Sequence, residues 1–200
     1  MRTIDPVKHA AQRRRILRAA STCFADKGFH RTRTADICAR VGMSPGNLFH
    51  YFPSKHAIIT TILEQEGTET AAHLTEPGST ADPLAALFTL VDAAVALAAD
   101  PTYAVLTLDT AAEARRDQNI GALAARNDRQ LRTGIADLLR RAVAAGRIDD
   151  TLDPDRAATW VTAQIDGLFA RGAADPDFAP LDRAPTLHLL LTRFLGAEPT

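Results

Sequence analysis

Residues 44–55, SPGNLFHYFPSK, carry groups suited to recognition rather than to reaction. Ser44 and Ser54 are helix openers whose oxygens can accept from the free N–H groups of a helix start, and Pro45 fits the first helical position. Only two turns of helix fit between them. At about 100° per residue, Leu48 and Phe52 share one face, while Gly46, Asn47, His50 and Tyr51 spread over the other. A helix this short cannot stand alone in water, so Leu48 and Phe52 must anchor it and the other side is displayed. Gly46 lets a second backbone approach closely, Asn47 can pair with base edges, and His50, Tyr51 and Lys55 can reach phosphates. The competing reading is an ordinary solvated face with aromatic packing.

Charge argues for the first reading. Residues 1–60 hold 11 Lys and Arg against Asp5, Asp26 and Asp36, a balance of +8. Residues 61–200 hold 12 basic and 21 acidic residues, a balance of −9, so the near-neutral total conceals a divided molecule. One end is suited to meet a polyanion and the rest to avoid one.

Chemistry of other kinds finds little support. His73 and His188 are isolated, no Ser-His-Asp or Cys-His pairing can be argued, and no carboxylate and histidine cluster has metal-ligand spacing. The expectation is a protein that is not an enzyme, with no catalytic residue, metal or cofactor. Cys23 and Cys38 are too few for a disulfide framework and are expected as small buried hydrophobes, a redox pair being the alternative. No apolar run approaches the roughly 18 residues of a membrane span, and the N-terminus leads into no signal-peptide core, which predicts a cytoplasmic protein.

The elements that must position these residues are helices. Asp5-Pro6, Asp82-Pro83, Asp100-Pro101 and Asp153-Pro154 each precede an apolar-periodic segment, Asp as cap and Pro as first helical residue. Strand signals are nearly absent, and the predicted class is all-α with about nine helices. Helices are expected over 6–27, 34–41, 45–52 and from 55 to about 74, with Gly28, Gly42-Met43 and Pro53 as the breaks. A loop is expected over 76–82. Further helices are expected over 83–99, 101 to about 115, about 118–145, 154 to about 173 and about 183–195, with Gly146 and Gly196 as stops. The predicted organisation is a three-helix helix-turn-helix domain over 1–53, a connecting helix over 54–75 and a larger helical regulatory and dimerisation domain over 76–200.

RRILRAASTCFADKGF (14–29), TADICARVGMSPGNLFHYFPSK (34–55) and the start of the fourth helix resemble the N-terminal DNA-binding domain of the TetR family of transcriptional regulators. About a quarter of the chain carries these motifs. The number and length of the later helices agree, and EARRD (113–117) is similar to a segment in the regulatory domains of some members. The resemblance implies that Gly46, Asn47 and Phe49 meet the major groove, and that Thr32, Arg33, Ser44, His50, Tyr51 and Lys55 touch the DNA backbone. Two departures stand out. Members often carry a hydroxyl where this chain has Arg33, which cannot cap the second helix; Thr32 is expected to take over, with Asp36 as capping-box partner. Many carry Tyr where this chain has Phe49, an apolar surface suited to a thymine methyl.

One short recognition helix reads only a few base pairs, so useful affinity calls for two copies and a near-palindromic operator. The expected dimer surface is the last two helices, through Ile165 and Leu168 on one and Leu187, Leu190, Leu191 and Phe194 on the other; the alternative is that these rows are intrachain core. The resemblance likewise implies a four-helix dimer interface there. A small-molecule effector is expected in an apolar cavity among the fourth to eighth helices, with Phe88, Tyr103, Leu106, Trp160 and Phe169 as lining and Asp109 and Glu113 as polar anchors. A buried carboxylate beside aromatics would suit a cation. The function so implied is a ligand-responsive regulator, a repressor released from its operator by a small molecule. A transcriptional activator of the same fold and a non-specific DNA-binding protein are the alternatives.

Overall fold

The computed structural model describes residues 5–75 and 82–197, and every regular element among them is an α-helix. In chain order these are α1 (Pro6–Lys27), α2 (Thr34–Val41), α3 (Pro45–Tyr51), α4 (Lys55–Thr75), α5 (Pro83–Ala98), α6 (Pro101–Glu113), α7 (Gln118–Ala144), α8 (Pro154–Ala174) and α9 (Pro180–Phe194). The loop expected over 76–82 lies outside the described residues except for Asp82.

All four Asp-Pro pairs start helices as expected. Asp5 accepts from the backbone N–H of Val7 and Lys8, Asp82 from Leu84 and Ala85, Asp100 from Thr102 and Tyr103, and Asp153 from Asp155 and Arg156. A fifth aspartate, Asp117, caps α7 in the same way without a following proline. Gly42 adopts φ 72° and ψ 44°, the left-handed conformation that lets the chain turn sharply from α2 towards α3.

The helix ends differ from expectation by a residue or two, except at α9. That helix starts at Pro180, three residues early, and carries Pro185 inside it. Buried Pro180 presets φ at the first helical position, so the helix forms although Pro185 cannot donate an intrahelical hydrogen bond.

Two hydrophobic cores hold these helices. The first gathers Ile16, Ala20 and Phe24 of α1, Ile37 and Val41 of α2, Leu48 of α3, Phe52, and Ile58, Ile59, Ile62 and Leu63 of α4. Leu106 of α6 and Ile120 of α7 belong to the same core, which therefore reaches beyond the first four helices. Leu48 and Phe52 are 0% and 1% exposed, and burying each contributes about 1.5–3 kcal/mol, which is what holds a seven-residue helix in place. The second core packs α5 and α7 to α9 around Leu87, Val91, Ile135, Leu139, Val161 and Leu191. α4 leaves the first core, lies along α7 and brings Leu74 against the second. Cys23 and Cys38 are both buried free thiols of the first core, and burial pushes both thiols up from their ordinary pKa.

Candidate nucleic-acid interface and effector cavity

α3 begins where Ser44 Oγ accepts from Asn47 N at 3.3 Å, with Pro45 at the first helical position. Gly46, Asn47, Phe49 and His50 are exposed, and Phe49 keeps 46% of its surface open. A Cβ at Gly46 would meet no atom within 4 Å, so the chain's own packing does not require glycine there. Tyr51 is held from behind. Its ring stacks on His9 of α1 at 4.8 Å and meets His50 edge-on at 5.6 Å, and its carbonyl accepts from Arg13 at 2.7 Å. The Arg13 guanidinium also lies 4.1 Å over the Phe52 ring, and Arg15 donates to the Val41 carbonyl at the end of α2. These clamps fix α2 and α3 on α1. His9, Arg13 and Arg15 went unmarked in the sequence because they lie on α1, far from the motif they support.

Arg33 is exposed and supplies the backbone N-cap of α2, its N–H donating to Asp36 Oδ2 at 2.7 Å. Lys27 reaches the same carboxylate at 2.6 Å, and these hydrogen bonds hold Asp36 below its ordinary pKa.

Two of the residues expected at the DNA backbone have partners within the chain. Thr32 is 1% exposed, and its hydroxyl faces the carbonyls of Cys23 and Gly28, both at 2.8 Å. It neither caps α2 nor faces outward, because the turn after α1 needs a donor for those carbonyls. Lys55 folds back likewise: its ammonium donates to the carbonyls of Phe29 (2.5 Å), Thr32 (2.9 Å) and His30 (3.3 Å), and sits 4.5 Å over the Phe29 ring. Burial lowers its pKa. The three carbonyl partners match the three protons of the ammonium.

The expected pocket residues do not converge. Trp160 is 62% exposed on α8, and Phe88 lies in an open groove between α5 and α9 beside His188. Asp109 stands near Gly28, Glu113 pairs with His30, and Phe169 is buried 6.1 Å from Tyr103. Tyr103 and Leu106 do share a pocket of about 550 Å³, open to solvent and of the same size as the groove beside Phe88, but its other walls are α1 and α4. Arg14, Leu17, Arg18, Ser21 and Thr22 face it from α1, and Ile62, Gln65, Glu66 and Glu69 from α4.

Glu66 is the group that stands out. Burial pushes its carboxyl up to about 7, and the neighbouring charge acting on it is another carboxylate, Glu69. The same burial and both carboxylates raise the Tyr103 phenol. Glu66 was legible in principle: it continues the apolar row of Ile59, Ile62 and Leu63 at three- and four-residue steps, where a carboxylate is out of place.

The expected dimer residues also divide. Ile165, Leu168, Leu187 and Leu191 are 2–6% exposed and belong to the second core. Leu190 and Phe194 are 53% and 40% exposed, and with Trp160 and Gln164 they surround a shallow depression of about 190 Å³. Helical rotation explains the split, since positions 187, 191 and 195 turn inward while 190 and 194 turn outward. Among the described residues no single helix is long and apolar enough to cross a membrane, and no cluster of His, Cys, Asp and Glu could hold a metal.

Residues 16–62 match the family model of bacterial regulatory proteins of the tetR family, and residues 83–196 match that of the C-terminal domain of BetI-type transcriptional repressors. The HTH-type transcriptional repressor Rv1474c of Mycobacterium tuberculosis is 27% identical over 168 residues, 84% of this chain and 86% of its own length. Among solved structures, Salmonella enterica GusR is 29% identical with a TM-score of 0.76, covering 94% of this chain and 96% of its own. A transcriptional regulator from Saccharomonospora viridis, solved in complex with choline, is 26% identical with a TM-score of 0.81, covering 95% and 100%. These are transcriptional regulators rather than enzymes. The displayed α3 and the acidic helical body thus have a common origin: the chain belongs to the TetR family of DNA-binding transcriptional regulators, with a C-terminal domain of the BetI repressor type.

Proposed function

We propose that this protein is a cytoplasmic, homodimeric repressor that holds a near-palindromic operator and releases it when an organic cation enters the cavity between α1, α4 and α6. Residues 1–53 form the reading head, 54–75 the connecting helix, and 76–200 the body that senses and dimerises. Gly46, Asn47 and Phe49 read the major groove, and Arg33, Ser44, His50 and Tyr51 hold the backbone. The observation that carries the DNA reading is α3 itself, whose Gly46, Asn47 and Phe49 stay exposed while Leu48 and Phe52 supply its anchor.

The cation follows from the cavity wall. Glu66 and Glu69 stand beside the Tyr103 ring while Arg14 and Arg18 line the α1 side, and an organic cation would pair with the carboxylates on the α4 side and stack on the ring. The choline bound to the Saccharomonospora viridis regulator supports the same ligand class. α1 carries the head and α4 connects it to the body, so a ligand wedged between them favours one tilt over another. It acts only through its differential affinity for the two states, and a coupling of about 1–3 kcal/mol would lower DNA affinity about 5- to 150-fold. Trp160, Leu190 and Phe194 supply the dimer contact on α8 and α9.

Selection of bound sequences from a random DNA pool near physiological salt tests the first part. An enriched palindrome is expected; binding without enrichment that vanishes as salt rises would mean a non-specific binder. Choline and bulkier trimethylammonium compounds then test the second part by release of the selected operator. Release by none of them, or equal release from Glu66→Gln/Glu69→Gln protein, would remove the cation site.

A further inference from the structure

The segment EARRD (113–117) takes no part in α3 or in the effector cavity, yet it is tied at one point to the reading head and at another to the start of the connecting helix. Glu113 ends α6 and is 8% exposed, with its Oε2 2.7 Å from Nε2 of His30 in the turn between α1 and α2. Asp117 caps α7 through Oδ1, which accepts from the N–H groups of Asn119 and Ile120. Its second oxygen, Oδ2, is left for Nε2 of His56 in the first turn of α4, at 3.0 Å.

Each pair of partners rides on a stiff piece. Lys55, adjacent to His56, binds the carbonyls of Phe29, His30 and Thr32, so the two histidines move together. On the other side, the N–H groups of Arg116 and Asp117 both donate to the Glu113 carbonyl, and α7 approaches so closely that a Cβ at Gly121 would lie 2.6 Å from the Ala114 carbonyl oxygen. Ile120 is buried with no exposed surface, in the first core. α6 already packs along α1 through Leu106 of the first core, and two polar contacts at separate points beside that buried seam set the rotation about it.

We infer that the α6–α7 corner is a latch that sets the orientation of the reading head on the body. His30, Glu113, His56 and Asp117 are then positioning residues for half-site spacing: they touch no base or phosphate, but they decide where the second α3 of a dimer falls along the duplex. This rests on the palindromic-operator reading above.

The test measures affinity for the selected palindrome, for versions with one or two base pairs added to or removed from its centre, and for a duplex with a single half-site. Wild-type protein should lose affinity about tenfold or more when the spacing changes. In His30→Ala/His56→Ala protein that penalty should fall below about threefold while half-site affinity stays within about twofold of wild type. His30→Gln/His56→Gln keeps an N–H donor at each position and should restore the wild-type penalty. A spacing penalty unchanged in the alanine variant would overturn the latch. Equal loss of half-site and full-site affinity would overturn it too, since that is the mark of a merely structural role. Should the double alanine variant not fold, the single variants His30→Ala and His56→Ala carry the test, and a spacing penalty unchanged in both would overturn the latch. Absence of any enriched palindrome with wild-type protein would instead sink the operator reading.

Discussion

Gly67 of α4 and Asn127 of α7 approach so closely that a Cβ at position 67 would stand 2.4 Å from Asn127 Oδ1. The amide cannot easily retreat, because its Nδ2 donates to the Leu63 carbonyl at 2.8 Å, and one turn on Gln130 donates to the Gly67 carbonyl at 2.7 Å. This grip joins the connecting helix to the body. Alanine in a helix interior is favoured over glycine by about 1 kcal/mol, but overpacking costs about 1–3 kcal/mol. Gly67→Ala should therefore destabilise wild-type protein by up to about 2 kcal/mol in urea unfolding, whereas in an Asn127→Ala background the same change should stabilise by up to about 1 kcal/mol. The same sign in both backgrounds would show that the close approach is not the cause.

Lys55 and Arg33, both expected at the DNA backbone, should behave differently. Lys55→Ala removes hydrogen bonds to three carbonyls and should lower stability by about 1–3 kcal/mol while leaving the salt dependence of DNA binding unchanged. Arg33→Ala should flatten the slope of log affinity against log salt by about one unit. A flattened slope for Lys55→Ala would mean that its ammonium leaves the carbonyls for a phosphate on DNA.

Asn47→Ala should cost about 1–3 kcal/mol at the selected operator and relax preference at the base pair it reads. His50→Ala should weaken all sequences alike. Repeating the selection with each variant separates the two, and an unchanged preference for Asn47→Ala would remove it from base reading.

Glu66 predicts a specific pH dependence of stability. Its folded-state carboxyl is pushed up to about 7, above the ordinary carboxylate value it has in the unfolded chain. The native state therefore holds a proton that the unfolded state has lost, and stability falls as pH rises from about 4.5 towards 7, then levels off. Glu66→Gln should remove that fall and gain about 1–3 kcal/mol at pH 8, allowing for the solvent that reaches this half-buried group. Parallel stability curves for the two proteins between pH 5 and pH 8, read by chemical denaturation, would show that Glu66 is not the group responsible.

Leu190 and Leu187 lie three residues apart on α9 but should behave oppositely. Leu190→Asp, on the exposed face, should give folded monomers by sedimentation that still bind a single half-site. Leu187→Asp, 5% exposed, buries an unpaired carboxylate and should unfold the protein. Folded dimers of Leu190→Asp would place the interface elsewhere.

The sequence by itself determined the local structure, because those signals act within a few residues. Asp5, Asp82, Asp100 and Asp153 cap the helices they precede, and Gly28, Gly42, Gly146 and Gly196 all take the positive φ expected of stops. The anchoring of α3 by Leu48 and Phe52, the display of Gly46, Asn47 and Phe49, and the division of charge are likewise local facts. What only the tertiary structure decided was which long side chains face inward and which face another segment. Thr32 and Lys55 look like phosphate contacts until the carbonyls of the α1–α2 turn claim them, and those carbonyls lie up to 26 residues from Lys55. Leu187 and Leu190, or Trp160 and Ile165, are alike in composition and separated by a rotation about the helix axis, whose zero is set by the neighbouring helices. The pocket around Glu66 joins Arg14 to Leu106 and the latch joins His30 to Glu113, and no periodicity along one helix records which other helix will lie beside it.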